Sequence, residues 1–182
     1  MRSVAGMLRD AIWVLAVVLA AIAGWLDWRS RRIPNWLTVP GLFVGIAANS
    51  LAAGWNGAKS SLLGALLGLG LLLPFVLIRS LGAGDWKLVG ALGAFLGPGP
   101  LTTVLLGAVF VAGAMAMGLI VYKGRARQAL RNIGAMIAAL FSFRLPPHQV
   151  SLDNPDALKV PFGVAVALTV ILYETAHVWG KV

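Results

Sequence analysis

Cysteine is missing from all 182 residues, histidine occurs twice, and six acidic residues stand against fifteen basic ones. The first absence excludes a disulfide framework, a thiol nucleophile and a cysteine-based zinc site, and two histidines are too few for a histidine-rich metal centre. Charge of either sign is scarce, at 12% of the chain against roughly 25% in an average soluble domain. What fills the sequence instead is apolar: 59% of residues are hydrophobic, in uninterrupted runs such as 62–78 and 101–122. Runs of that length are transmembrane helices, because an open sheet edge goes unsatisfied in lipid. The formal net charge of +9 would suggest nucleic acid in a soluble protein. In a membrane protein it reflects Lys and Arg gathered in the inner loops, so no nucleic-acid partner is expected.

Six candidate spans follow: 11–26, 35–53, 60–78, 86–96, 101–122 and 161–179. With the N-terminus outside, the inner segments carry Arg29, Arg31, Arg32, Arg79, Lys87, Lys123, Arg125, Arg127, Arg131, Arg144 and Lys159. Only Arg2, Arg9, Lys59 and Lys181 are left outside, and that asymmetry orients the chain with both termini out. A rival reading takes Arg2, Arg9, the apolar stretch after them and the triplet Ala21-Ile22-Ala23 as a signal peptide, whose cleavage would remove one span. The expected fold is all-α, a polytopic membrane helix bundle in a single domain over 1–182. It has a core at 11–122, an inner amphipathic helix and loop at 123–159, and a last span at 160–179.

The fourth span is too short to cross unaided, at roughly 16 Å of helix against a hydrocarbon core near 30 Å. Yet without it the cluster from Lys123 to Arg131 would lie outside, against the charge rule. It is therefore expected to start below the inner surface, with Leu81-Gly82-Ala83-Gly84-Asp85 as irregular backbone at membrane depth, lining a wet cavity or buried in protein. After the fifth span, Leu130, Ile133, Met136, Ile137, Leu140 and Phe141 recur at helical spacing, opposite Arg127, Gln128, Arg131 and Asn132. This predicts a helix in the inner interface with its arginines toward anionic lipid, or else a cap packed on the bundle. A solvated loop follows, with Pro146, Pro147 and Pro155. Gly64 with Gly68, and Gly93 with Gly97, have the spacing that lets membrane helices approach closely.

Chemistry rests on the few acids, since a carboxylate in the membrane is by default a functional candidate. Asp10, Asp153 and Asp156 read as ordinary polar residues at a span mouth and in the loop, and Glu174 with His177 as an outer-interface pair. Asp27 and Asp85 remain, both on the inner side. Asp85 can be read as the N-cap of the fourth helix. Asp27 ends its span where the helix dipole disfavours negative charge, with Arg29, Arg31 and Arg32 at hand to compensate. Two convergent carboxylates permit one to be ionised while the other stays protonated.

The run Asp27-Trp28-Arg29-Ser30-Arg31-Arg32-Ile33-Pro34-Asn35 resembles the first aspartate motif of the bacterial type IV prepilin peptidases. Gly82-Ala83-Gly84-Asp85-Trp86-Lys87 is similar to their second, Gly-x-Gly-Asp, and Val160-Pro161-Phe162-Gly163 to the opening of their last span. The resemblance implies a peptidase core over 11–122, with Asp27 and Asp85 as catalytic acids and Gly82, Gly84, Lys87, Ile33, Pro34 and Asn35 supporting them. It implies cleavage of a basic leader ahead of an apolar helix at the cytoplasmic face of the inner membrane, by activated water, with no metal and no cofactor. The implied partners are the prepilin substrate, the pilus assembly machinery and membrane lipids. The cysteine tetrad and large insert of the longer members are absent, so N-methyltransferase activity is not implied; the likeness is to the compact tight-adherence peptidases of Flp-type pilins. Arg29, Arg31 and Arg32 would repel a basic leader, and are read with Arg127 and Arg131 as ligands of lipid phosphate. A small ion-coupled transporter, or an inactive scaffold of a secretion machine, is the alternative.

Overall fold

A computed structural model of the protein describes residues 4–124, 126–142 and 160–179; the loop expected over 144–159 lies outside them, as do Arg2, Arg125 and Lys181. All the regular structure described is helical: α1 (Val4–Ser30), α2 (Asn35–Leu77), α3 (Ala83–Leu96), α4 (Pro98–Lys123), α5 (Ala126–Ser142) and α6 (Phe162–Trp179). α1, α2 and α4 are long and apolar enough to cross a membrane, and α6 contributes the shorter apolar stretch Phe162–His177. The chain is an all-α membrane helix bundle.

At 43 residues, α2 would reach roughly 65 Å if straight, twice the bilayer core. It reverses instead. The helical backbone breaks at Ala53 (φ −139°, ψ 18°) and Gly54 (φ 56°, ψ −136°), the latter a left-handed conformation that glycine enters without penalty. The second arm returns along the first, so that Ser61 Oγ donates to the Gly45 carbonyl at 3.4 Å. The spans expected at 35–53 and 60–78 are these two arms.

α3 departs from expectation in a way that bears on the site. It has 14 residues, about 21 Å, and begins at Ala83, so Gly84 and Asp85 are helical and the irregular backbone is confined to 78–82. The reason is local: Gly82 in an extended conformation (φ −70°, ψ 141°) serves as the N-cap, and its carbonyl accepts the Trp86 amide at 3.1 Å. From Leu88 to Leu96 every residue of α3 is buried. It packs chiefly on α2, running parallel to the first arm, with Gly41 near Ala91 and Gly45 against Ala94. On the second arm, Gly64 and Gly93 bring the two backbones into direct contact. The far end of α3 closes at Gly97 (φ 73°), where a side chain would strike Ser60 Oγ.

α6 runs antiparallel to α1. Gly24 makes room for Ala167, and at the opposite end Trp13 stacks on Tyr173 with ring centroids 5.5 Å apart. α5 meets the bundle mainly through the end of α4. Among its described side chains Leu130, Ile133, Ile137 and Phe141 stay uncovered, Leu130 at 72% and Phe141 at 81% exposed.

The Gly64–Gly93 contact sets the first test. A methyl group at Gly64 would run into the Gly93 carbonyl, so Gly64→Ala is expected to destabilise the bundle by about 1–3 kcal/mol. Thermal unfolding in detergent measures this; Gly70→Ala, with open space around its position, is the control and should unfold like wild type.

Candidate active site

The last turn of α1 is built to hold one carboxylate inside the bundle. Arg31 follows the helix with a positive φ of 53°, and its amide donates to the Asp27 carbonyl at 2.9 Å. This is the left-handed C-terminal cap that usually falls to glycine. It closes the helix while Asp27 still faces inward, only 6% exposed. One carboxylate oxygen, Oδ2, accepts the Gly163 amide at 2.9 Å. That amide belongs to the first turn of α6, where N–H groups lack helical partners. Arg31 also lies near enough for its charge to act on Asp27, an answer to the negative end of the α1 dipole.

Asp85 is not the N-cap of α3 that its sequence context allows; Gly82 is. Asp85 stands three residues into the helix, and its carboxylate leans back over Gly82 and faces that residue's amide. The geometry is the returning half of a capping box. Its Oδ2 occupies the space a Gly82 side chain would need, 2.9 Å from the ideal Cβ position. Among the described residues nothing hydrogen-bonds its buried Oδ1. Asp27 and Asp85 are close enough for their charges to interact, and both face the Gly163 amide. Two acids far apart in sequence therefore converge on α6.

The segment between α1 and α2 locks this arrangement. Ile33 is buried, and Gly84 packs so closely on it that an added Cβ would lie 3.0 Å from the Ile33 carbonyl oxygen. A Cβ added at Gly163 would meet the same side chain, 3.0 Å from Ile33 Cδ1. Pro34 caps α2 in extended conformation, and Asn35 Oδ1 accepts a 3.0 Å bond from Lys87 Nζ. The two sequence motifs are thus clasped at Ile33–Gly84 and Asn35–Lys87. Trp86 donates from Nε1 to the Leu69 carbonyl at 2.7 Å and ties α3 to the second arm of α2.

Other expected residues stand apart. Arg29 and Arg32 are exposed at the same end of the bundle, and Arg127 and Arg131 are exposed on α5. Glu174 lies near the other end of α6, by the Trp13–Tyr173–His177 stack. Beside the acids opens an apolar groove of about 590 Å³, lined by Leu67, Phe75, Leu81, Leu105, Val109 and Phe162 among others. Leu81 and Phe162 immediately precede Gly82 and Gly163, the residues that the carboxylates contact, so the groove ends one residue short of them. Sequence reasoning missed Gly163 as the partner of Asp27. The signal available was a glycine in the first turn of the last span, where a free amide is guaranteed.

Comparison with known proteins gives a consistent picture. Residues 13–117 match the type IV leader peptidase family. A prepilin leader peptidase/N-methyltransferase of Aeromonas hydrophila is 34% identical over 120 residues, which is 62% of this chain and 41% of that protein. A protein of the same name from Xanthomonas campestris pv. campestris is 31% identical over 132 residues, 69% of this chain and 45% of its own. The matched region is less than half of either relative's length. No solved structure matches the chain.

The absence of native cysteine makes the clasp directly testable. An ideal Cβ on Gly84 falls 3.1 Å from Ile33 Cβ, near the Cβ separation of roughly 3.5–4.5 Å found in disulfides. Ile33→Cys combined with Gly84→Cys should therefore cross-link under mild oxidation, seen as a reductant-sensitive mobility shift on a gel. Leu51→Cys with Gly84→Cys should not.

Proposed function

The chain belongs to the type IV leader peptidase family, and we propose that it is an aspartic endopeptidase that removes the leader peptide of Flp-type prepilins. The cut is placed at the cytoplasmic face of the bacterial inner membrane, with Asp27 and Asp85 as the catalytic acids. The observation that carries this reading is their convergence, on two different helices, around one backbone amide.

The chemistry follows from two carboxyl groups sharing one proton. The ionised member takes a proton from water as the water oxygen attacks the scissile carbonyl carbon. The protonated member gives its proton to the carbonyl oxygen, leaving a tetrahedral gem-diol. The acid that received the water proton then delivers it to the leaving nitrogen as the C–N bond breaks, and a diol hydroxyl returns a proton to the other acid. Atoms balance, no covalent enzyme intermediate forms, and both groups end as they began.

Leader and pilin helix need different surroundings. The apolar groove beside Leu81 and Phe162 suits the hydrophobic helix that follows the cut, leaving the leader toward water. Gly82, Gly84, Ile33, Pro34, Asn35 and Lys87 hold the two acids in register. Arg29, Arg31, Arg32, Arg127 and Arg131 are assigned to the membrane surface and its phosphates, and α5 to the inner interface with Leu130, Ile133 and Ile137 toward lipid. The pilus assembly machinery is the partner this activity serves. N-methylation is not assigned, because the cysteines associated with it are lacking.

Asp27→Asn and Asp85→Asn change volume little, and each should lower leader cleavage by at least about 10²-fold while membrane abundance stays near wild type. Coexpression with a Flp-type prepilin, read as substrate size on a gel, decides the matter; ordinary processing by either variant would refute the dyad. For α5, Ile133→Asp combined with Ile137→Asp should detach the helix from the interface. Protease added from the cytoplasmic side would then cut this segment faster, and cleavage activity should fall only in part.

A further inference from the structure

Thr38 presents a buried polar group that the proposed mechanism has not used. It is 1% exposed, in the first turn of α2. Among the described residues, nothing hydrogen-bonds its Oγ1. Threonines in helices commonly bond the carbonyl one turn back, and Thr102 and Thr169 do so, to Pro98 and Ala165, each at 2.8 Å. At Thr38 the equivalent carbonyl is that of Pro34, already shared by the Leu37 amide at 3.2 Å and the Thr38 amide at 3.4 Å. The hydroxyl is left to point elsewhere.

Helix register says where. Gly41 lies in the seam between α1 and α3, 3.1 Å from Leu19 and 3.7 Å from Ala91 by its ideal Cβ. Thr38 is three residues earlier, on the same stripe of α2, and so faces the same seam one turn closer to Ile33. α3 runs parallel to this arm with Gly84 beside Ile33 and Ala91 beside Gly41, which sets Thr38 level with Leu88, one turn above Asp85. α1 runs the opposite way from Leu19, which brings its last turn, with Asp27, below Thr38. Register thus places Thr38 about one turn from Asp85 and somewhat farther from Asp27, on the side of both away from Gly82.

We infer that Thr38 is a positioning residue whose hydroxyl holds the attacking water above Asp27 and Asp85. The inference rests on the peptidase reading. An activated-water mechanism needs a second anchor for its nucleophile, since a water held by one carboxylate alone can take many orientations, few of them aimed at the carbonyl. A hydroxyl both donates and accepts, so it can fix that water without competing for its acidic proton. An apolar residue of the same shape would leave the fold intact and the water loose.

The test compares Thr38→Val, which keeps shape, with Thr38→Ser, which keeps the hydroxyl, in the full chain purified in detergent and given a prepilin. Thr38→Val should lower kcat by about 10²-fold, with KM within about twofold of wild type and an unfolding temperature no lower. Thr38→Ser should keep most of the activity. If Thr38→Val accumulates poorly, Thr38→Ala against Thr38→Ser gives the same contrast. Wild-type kcat without the hydroxyl overturns the inference, as does a rise in KM alone, which would give the hydroxyl to the peptide rather than to water. Equal inactivity of the valine and serine variants also overturns it. Asp27→Asn and Asp85→Asn in the same assay separate the two levels: if they are inactive while Thr38→Val is normal, the peptidase reading stands and only the water anchor falls.

Discussion

A helix that ends buried inside a bundle leaves carbonyls that water cannot reach, and the bundle is organised around meeting that demand at the end of α3. At about 21 Å, α3 is shorter than the apolar slab, and its closing residues are buried. Asn49 on the first arm of α2 donates to the Ala94 and Phe95 carbonyls, both at 3.0 Å, and Ser61 on the second arm donates to Ala94 at 2.5 Å. Each such bond to an otherwise orphaned buried carbonyl avoids a penalty of roughly 1–3 kcal/mol. Both donors come from α2, so its reversal at Ala53–Gly54 is what allows one helix to grip α3 from two sides. With that end fixed, the depth of the other end follows, and Asp85 sits in its first turn.

Depth alone does not make a site; the second carboxylate must arrive with a compatible environment. Asp27 comes from the end of a helix running the other way, where the terminal carbonyls oppose negative charge. The chain meets this with the opening turn of α6, whose Gly163 amide points at Oδ2. Glycine is required here by contact rather than by torsion: a side chain would lie 3.0 Å from both Asp27 and Ile33. The same Ile33 also receives Gly84, so one buried isoleucine is the spacer against which α3 and α6 are gauged.

These dependencies explain which parts were legible in sequence. The long apolar runs give the helices and their number because lipid permits little else, and the pairing of the two aspartate motifs was readable from their residues. The true start of α3 was not. Whether Gly82-Ala83-Gly84-Asp85 is loop or helix turns on where the N-cap falls, and glycine at two positions leaves that open until Ile33 packs on Gly84. Asn49 and Ser61 were invisible for a similar reason. Polar residues inside apolar runs show no period, and their partners are carbonyls whose positions the fold alone decides. The apolar face of α5 was plain in the sequence, yet the exposure of Leu130 and Phe141 on it emerges only from the structure.

The arginines beside Asp27 pose a problem for a basic leader, and the backbone reduces it. Arg31 takes a left-handed conformation that costs a non-glycine residue roughly 1–2 kcal/mol, and Arg79 does the same at the end of α2. There the Ser80 amide bonds the Phe75 carbonyl and the Arg79 amide that of Val76, at 2.9 and 3.0 Å, a paired closure that again usually has glycine at its centre. Glycine would close both helices with less strain, so the side chain carries the reason for arginine. At Arg31 that reason is visible, since its charge acts on Asp27 inside the bundle. The Arg31 side chain is itself exposed, like those of Arg29 and Arg32, so all three face whatever approaches from the surface while part of the Arg31 charge is offset by Asp27.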